Sequence, residues 1–158
     1  MILNTKYKLG FTLIELLVTT SIILLLAGFG LASWQTFNQQ QTLDAAAQDL
    51  KNNLRLARSW AMAVKKSCDG PAGGYQVSFT DRGYSIQEKC GGVLINPAQN
   101  FSYPSEVIGS VPIPNSFIFQ PLTGTTNLSA EEVTISLSLS LGGRPPKTVT
   151  IRKNGEIE

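Results

Sequence analysis

Few residues in this 158-residue chain are equipped for chemistry, and they are unevenly placed. Glu15 is the only ionisable residue between Phe11 and Ala32, in a stretch that is otherwise almost wholly apolar. An apolar helix of about 20 residues spans the roughly 30 Å hydrocarbon core of a bilayer. A carboxylate in such a segment is costly without a partner, so Glu15 reads as functional, with a cation as its natural complement. Cys68 and Cys90 are the only cysteines, and histidine is absent. The commonest general base is therefore missing, and two cysteines alone make a poor zinc site. Asp81 stands in a turn sequence, with no carboxylate cluster around it to build a calcium site. Neither a phosphate-binding loop nor a nucleophile motif occurs. No catalytic residue, metal or cofactor is expected, and the chain does not read as an enzyme. Arg144, Lys147, Arg152 and Lys153 form a group of cations near the C-terminus.

The elements that must position these residues follow from periodicity. No proline occurs from Phe11 to Lys66. Past Trp34 the continuous apolar pattern becomes amphipathic. Leu43, Ala47, Leu50, Leu54, Ala57, Ala61 and Val64 recur at steps of four and three, one face of a helix, and the small residues among them suit close approach of a sheet. Asp44, Gln48, Lys51, Arg55 and Arg58 fall largely on the other sides. The polar residues Ser33 to Gln41 read as an emergence from the membrane, not a break; Gly28 and Gly30 are the weak points. A helix of roughly 50 to 55 residues would be about 80 Å long. A domain of this size cannot bury it, so its N-terminal half needs lipid or other subunits.

Asp69-Gly70-Pro71-Ala72-Gly73-Gly74 is a breaker cluster that ends the helical pattern. Tyr75–Thr80 and Tyr84–Lys89 then alternate around Asp81-Arg82-Gly83, predicting a hairpin with glycine in the turn. Val93 to Ile95 reads as a short strand and Asn96 to Pro104 as loop. Ile113–Gln120, Val133–Leu141 and Lys147–Arg152 read as further strands, with turns at Pro121–Gly124, Gly142–Pro146 and Asn154-Gly155. The expected fold class is α+β: a long N-terminal helix packed on a C-terminal antiparallel β-sheet domain. The expected divisions are a leader (1–10), the helix (11–66, with 11–32 as its transmembrane or assembly half) and a β-rich globular domain (67–158).

Gly10-Phe11-Thr12-Leu13-Ile14-Glu15-Leu16-Leu17-Val18, behind a leader carrying Lys6 and Lys8, resembles the class III signal of type IV pilins and type II secretion pseudopilins. That resemblance implies cleavage between Gly10 and Phe11 by a prepilin peptidase, N-methylation of Phe11, and pairing of Glu15 with the N-terminal amine of a neighbouring subunit. Leu54-Arg55-Leu56-Ala57-Arg58-Ser59-Trp60-Ala61 resembles the Arg-Ser-x-Ala helix segment of the GspH/FimT/FimU branch of minor members. Phe119-Gln120-Pro121-Leu122-Thr123-Gly124 is similar to that branch's Phe-x-Pro-x-Gly turn, and Val149–Ile157 to its closing strand. The absence of proline from the anchor also favours a minor component. The resemblance implies partners among other pilin or pseudopilin subunits, the prepilin peptidase and the inner membrane, with secreted proteins or DNA as further candidates.

Two other readings fit the same stretch. An ordinary secretory signal would be cut after Gly30-Leu31-Ala32, before Ser33; the length of the apolar run and Glu15 count against it. A plain membrane anchor would make Glu15 incidental. Under the pilin-type reading the leader lysines place the N-terminus in the cytoplasm and the bulk of the chain outside the inner membrane, single-pass. Outside the cytoplasm the cysteine pair favours a disulfide, which would staple the open end of the first hairpin; two free buried thiols are the alternative. The whole chain has 13 basic and 11 acidic residues, and loss of Lys6 and Lys8 with the leader leaves 11 against 11, so no global basic field remains. DNA binding during transformation, suggested by the FimT side of the branch, would fall to Arg144, Lys147, Arg152 and Lys153 through salt-sensitive phosphate contacts. Against it, those charges also suit a solvated turn and a protected edge strand, with Glu156 and Glu158 beside them.

Overall fold

The computed structural model describes residues 10–65, 67–95 and 97–158, without the side chains of 29–33, 35 and 36. Lys6, Lys8, Lys66 and Asn96, and the side chains of the alternative cleavage site Gly30-Leu31-Ala32 and Ser33, thus lie outside the described residues. Helix α1 runs Leu13–Met62, 50 residues, through the glycines at 28 and 30 and through the polar 33–41 stretch. The chain divides into two compact units, Met1–Asn38 and Gln39–Glu158.

Within the second unit, α1 buries Leu43, Ala46, Ala47, Leu50, Leu54, Ala57 and Ala61. These are the expected stripe with Ala46 added and Val64 removed. Val64 instead ends the helix: it takes a left-handed φ of 51°, while its N–H donates to Ala61 O at 3.1 Å and that of Lys65 to Trp60 O at 3.0 Å. This pairing is a Schellman cap, with a β-branched residue where glycine is usual.

The strands are β1 (Ala72–Thr80), β2 (Gly83–Cys90), β3 (Val93–Leu94), β4 (Gln99–Ser102), β5 (Val107–Gly109), β6 (Ser116–Phe119), β7 (Glu132–Leu139) and β8 (Lys147–Arg152). They make two antiparallel sheets. One is a five-stranded sheet in the order β3-β2-β1-β6, with β4 also pairing with β2; the other has the order β5-β7-β8. Alternation decides which face is buried. Tyr75, Val77 and Phe79 on β1 and Val133, Ile135, Leu137 and Leu139 on β7 enter one core with the α1 stripe. Ser78, Thr134 and Ser136 occupy intervening positions and face outward. The helix engages both sheets. Asn53 donates to the Tyr84 hydroxyl of β2 at 2.7 Å, Trp60 packs on Tyr75 with centroids 5.5 Å apart, and Lys147 of β8 pairs with Asp44 at 2.8 Å.

Two expectations are corrected. Residues 99–102, expected as loop, form β4 and pair with Gly83–Ile86 of β2. Gly83, expected in the turn, is the first residue of β2 and pairs with Thr80, so Asp81 and Arg82 alone make the turn. Its need for glycine comes from β4: a Cβ there would collide with the Phe101 carbonyl oxygen.

Candidate functional site

The site with the clearest chemistry is the start of α1. Thr12 and Glu15 form a reciprocal cap. The backbone N–H and the hydroxyl of Thr12 donate to Glu15 Oε2 at 3.2 and 3.0 Å, and Glu15 N–H donates back to Thr12 Oγ1 at 3.3 Å. This is a capping box, which satisfies helix-start donors that have no partner inside the helix. The Thr-x-x-Glu spacing carries that signal in the sequence, and the sequence reading passed over it. Both contacts from Thr12 use Oε2, and among the described residues no hydrogen bond is made to Glu15 Oε1.

The side chains around Glu15 are exposed: Phe11 at 82%, and also Leu13, Ile14, Leu16, Leu17, Ile22, Ile23 and Leu24 through Leu26. The hydroxyls in this run are turned inward on the helix. Thr19 and Thr20 donate to Leu16 O at 3.0 and 2.9 Å, and Ser21 to Leu17 O at 2.8 Å. Such back-bonding lets Ser and Thr enter an apolar setting without an orphaned donor. Among the described residues no helix is long and apolar enough to cross a membrane.

Cys68 and Cys90 form a disulfide, with Cα atoms 6.6 Å apart. It ties the segment after α1 to the end of β2. The Glu88 carboxylate lies 3.8 Å from both sulfurs, and the S–S bond leaves no thiolate there to ligate a metal.

The C-terminal cations are spread along β8 and the residues that flank it. Lys147 opens β8 and Arg152 closes it, about 17 Å apart at the rise of a strand. Lys147 pairs with Asp44 at 2.8 Å; Arg152 pairs with Glu156 and Glu158 at 3.1 and 3.0 Å; Lys153 lies 4.0 Å from Glu131. Arg144 sits exposed in the loop before β8.

The segments Leu54–Ala61, Phe119–Gly124 and Val149–Ile157 meet. Arg58 donates from Nε to Gly124 O at 3.3 Å and from its terminal nitrogen to Asn154 O at 3.4 Å. Arg55 donates to Ile157 O at 3.1 Å, and Leu122 N–H to Ala61 O at 3.1 Å. Gly155 sits at φ 83° directly against the Gly124 carbonyl oxygen. Both arginines thus tie the later segments of the chain to the helix.

Residues 5–31 match the family model described as the prokaryotic N-terminal methylation motif. No curated protein matches the chain in sequence. The fold is shared with the type IV minor pilin FimU of Pseudomonas aeruginosa, with a TM-score of 0.55 and 19% identity over 73% of this chain and 90% of that one.

Proposed function

We propose that this chain is a minor pilin, a structural subunit and not an enzyme, that primes or caps a filament of the type IV pilus class. The methylation motif carries the reading, because it falls on the exposed apolar start of α1. In this reading a prepilin peptidase cuts between Gly10 and Phe11, Phe11 is N-methylated, and the apolar segment holds the subunit in the inner membrane before assembly. The fold shared with a type IV minor pilin supports a pilin-like subunit. Glu15 serves assembly: in an apolar filament core its carboxylate and the Phe11 ammonium of a neighbour neutralise one another, and each is costly alone. The capping box is compatible with that role, because it engages one carboxylate oxygen and makes no hydrogen bond to the other.

Mass spectrometry of the membrane-extracted protein tests the processing, with N-methylated Phe11 as the expected first residue. Ser33 as the first residue would establish an ordinary secretory signal instead. The variant Glu15→Leu is expected to be cut normally yet enter filaments at least about tenfold less often, since breaking a buried ion pair costs roughly 3–5 kcal/mol. Incorporation at the wild-type level would remove the pairing role.

A further inference from the structure

We propose that the outer edge of β4 docks an extended strand of a partner polypeptide. That strand seats an aromatic or long aliphatic side chain in the cleft beside Trp60 and a carboxylate next to Arg82 on the opposite face. The site belongs to the unit Gln39–Glu158, whereas the α1 start that carries the assembly reading belongs to Met1–Asn38.

The sheet edges are treated unequally. Along β6, Ile118 N–H donates to Asn127 Oδ1 at 2.7 Å and its carbonyl accepts from Asn127 N–H at 3.2 Å. Along β8, Thr150 exchanges backbone hydrogen bonds with Glu158 at 3.0 and 3.1 Å, and Arg152 N–H donates to Glu156 O at 2.9 Å. Along β5, the Gly109 and Val107 N–H groups donate to Asp81 O and Pro104 O at 2.9 and 2.8 Å. Tyr103 N–H donates to Arg82 O at 2.9 Å, which sets the register: Gln99 and Phe101 bond inward to β2, while the backbone groups of Asn100 and Ser102 point away from it. Among the described residues no strand pairs with that outward side. Proteins commonly blunt such an edge with charge, proline or a covering loop. Gln99-Asn100-Phe101-Ser102 has neither charge nor proline, so its free donors and acceptors match the backbone of an added strand.

A recess flanks each face of this edge. On the core side, Gln99 borders a cleft of about 330 Å³ lined by Trp60, Tyr75, Ile86, Ile95 and Pro97, with Lys65 Nζ 4.8 Å from the Trp60 ring. Glu88 also lines it, but its two oxygens accept from the N–H and hydroxyl of Ser67 at 2.8 and 2.6 Å. On the outer side, Asn100 and Ser102 border a recess of about 250 Å³ with Ser78, Thr80 and Ser85, where Arg82 is the only charged residue among the described ones. Side chains of an added strand alternate between the two faces. An apolar residue therefore enters the aromatic cleft while its chain neighbour, an acid, meets Arg82.

The test uses the full chain in detergent micelles and the acetylated, amidated heptapeptide Thr-Thr-Phe-Glu-Val-Thr-Thr. Hydrogen exchange is expected to slow at the Asn100 and Ser102 amides when the peptide is added, with a change in Trp60 fluorescence. Asn100→Pro removes only an outward N–H and is expected to weaken binding at least about tenfold, because an added strand loses a ladder hydrogen bond. If that variant melts early, Ser102→Lys replaces it, since a lysine on the edge opposes pairing without altering the backbone. Replacing the peptide glutamate by lysine is expected to weaken binding, and Arg82→Ala to abolish that difference. No binding at millimolar peptide, protection confined to other residues, or wild-type affinity in both edge variants would overturn the proposal. Concentration-dependent protection of Asn100 and Ser102 without peptide would overturn it in favour of a second copy of the chain. Loss of filament incorporation in Glu15→Leu with peptide binding intact separates this site from the assembly role.

Discussion

Leu24 and Leu50 are the same residue in the same helix, and one is 73% exposed while the other is 0%. Between Gln39 and Met62 most apolar side chains keep to one stripe that the domain covers, with Leu56 and Met62 outside it. Between Leu13 and Leu26 they surround the helix, and most remain uncovered. A helix apolar all round belongs inside a larger protein or a membrane. The difference teaches that α1 serves two separable ends. One half is spent on folding the domain, and the other presents an apolar surface that the described residues leave largely uncovered.

A paired substitution tests this separation most severely. Leu54→Asp places an unpaired carboxylate in the core and is expected to cost more than about 4 kcal/mol, enough to unfold the domain. Leu24→Asp is expected to leave the Tm of the domain unchanged and to reduce membrane partition, by roughly 3 kcal/mol if the residue sits at mid-bilayer. Equal melting of the two variants would break the division. Next in size, Cys68→Ser opens a loop whose ends are 22 residues apart. The loss is expected to be about 3 kcal/mol, read from the denaturant midpoint, with membrane extraction unaltered. Gly155→Ala forces a Cβ onto the Gly124 carbonyl oxygen at a left-handed φ. It is expected to cost about 1–3 kcal/mol and to loosen the junction at Arg58.

The smallest effect is expected at Tyr103, whose buried hydroxyl has no partner among the described residues. Tyr103→Phe should change stability by no more than about 1 kcal/mol, toward stabilisation if at all. Burial first, and the neighbouring Tyr84 second, push the Tyr103 hydroxyl well above the usual tyrosine range. The fold therefore favours the protonated form. That contribution is complete below about pH 10 and is lost as pH rises beyond the unfolded-chain value. Alkaline melting curves should be flatter in the phenylalanine variant.

Where a signal was local, the sequence was legible. The stripe from Leu43 to Ala61 depends on helical period alone, and β7 on alternation of serine or threonine with apolar residues. The Thr12–Glu15 cap was equally local, a four-residue spacing overlooked because Glu15 drew a longer-range reading. β4 was not legible, since Gln99-Asn100-Phe101-Ser102 has neither strand alternation nor rich β propensity; pairing with β2 makes it a strand. Val64 continues the period of the stripe, yet the chain must turn toward β1 there, and the cap overrides the period.

By itself, then, the sequence determined the long helix, the change from all-round to one-sided apolarity, and the motif at Gly10 to Val18, because each is written in neighbouring residues. Only the tertiary structure decided that Arg58 ties Gly124 to Asn154, that Lys147, Arg152 and Lys153 lie against carboxylates, and that β4 is left with an open edge. Those outcomes depend on which distant segments come within a few ångströms of one another, and local periodicity carries no record of that.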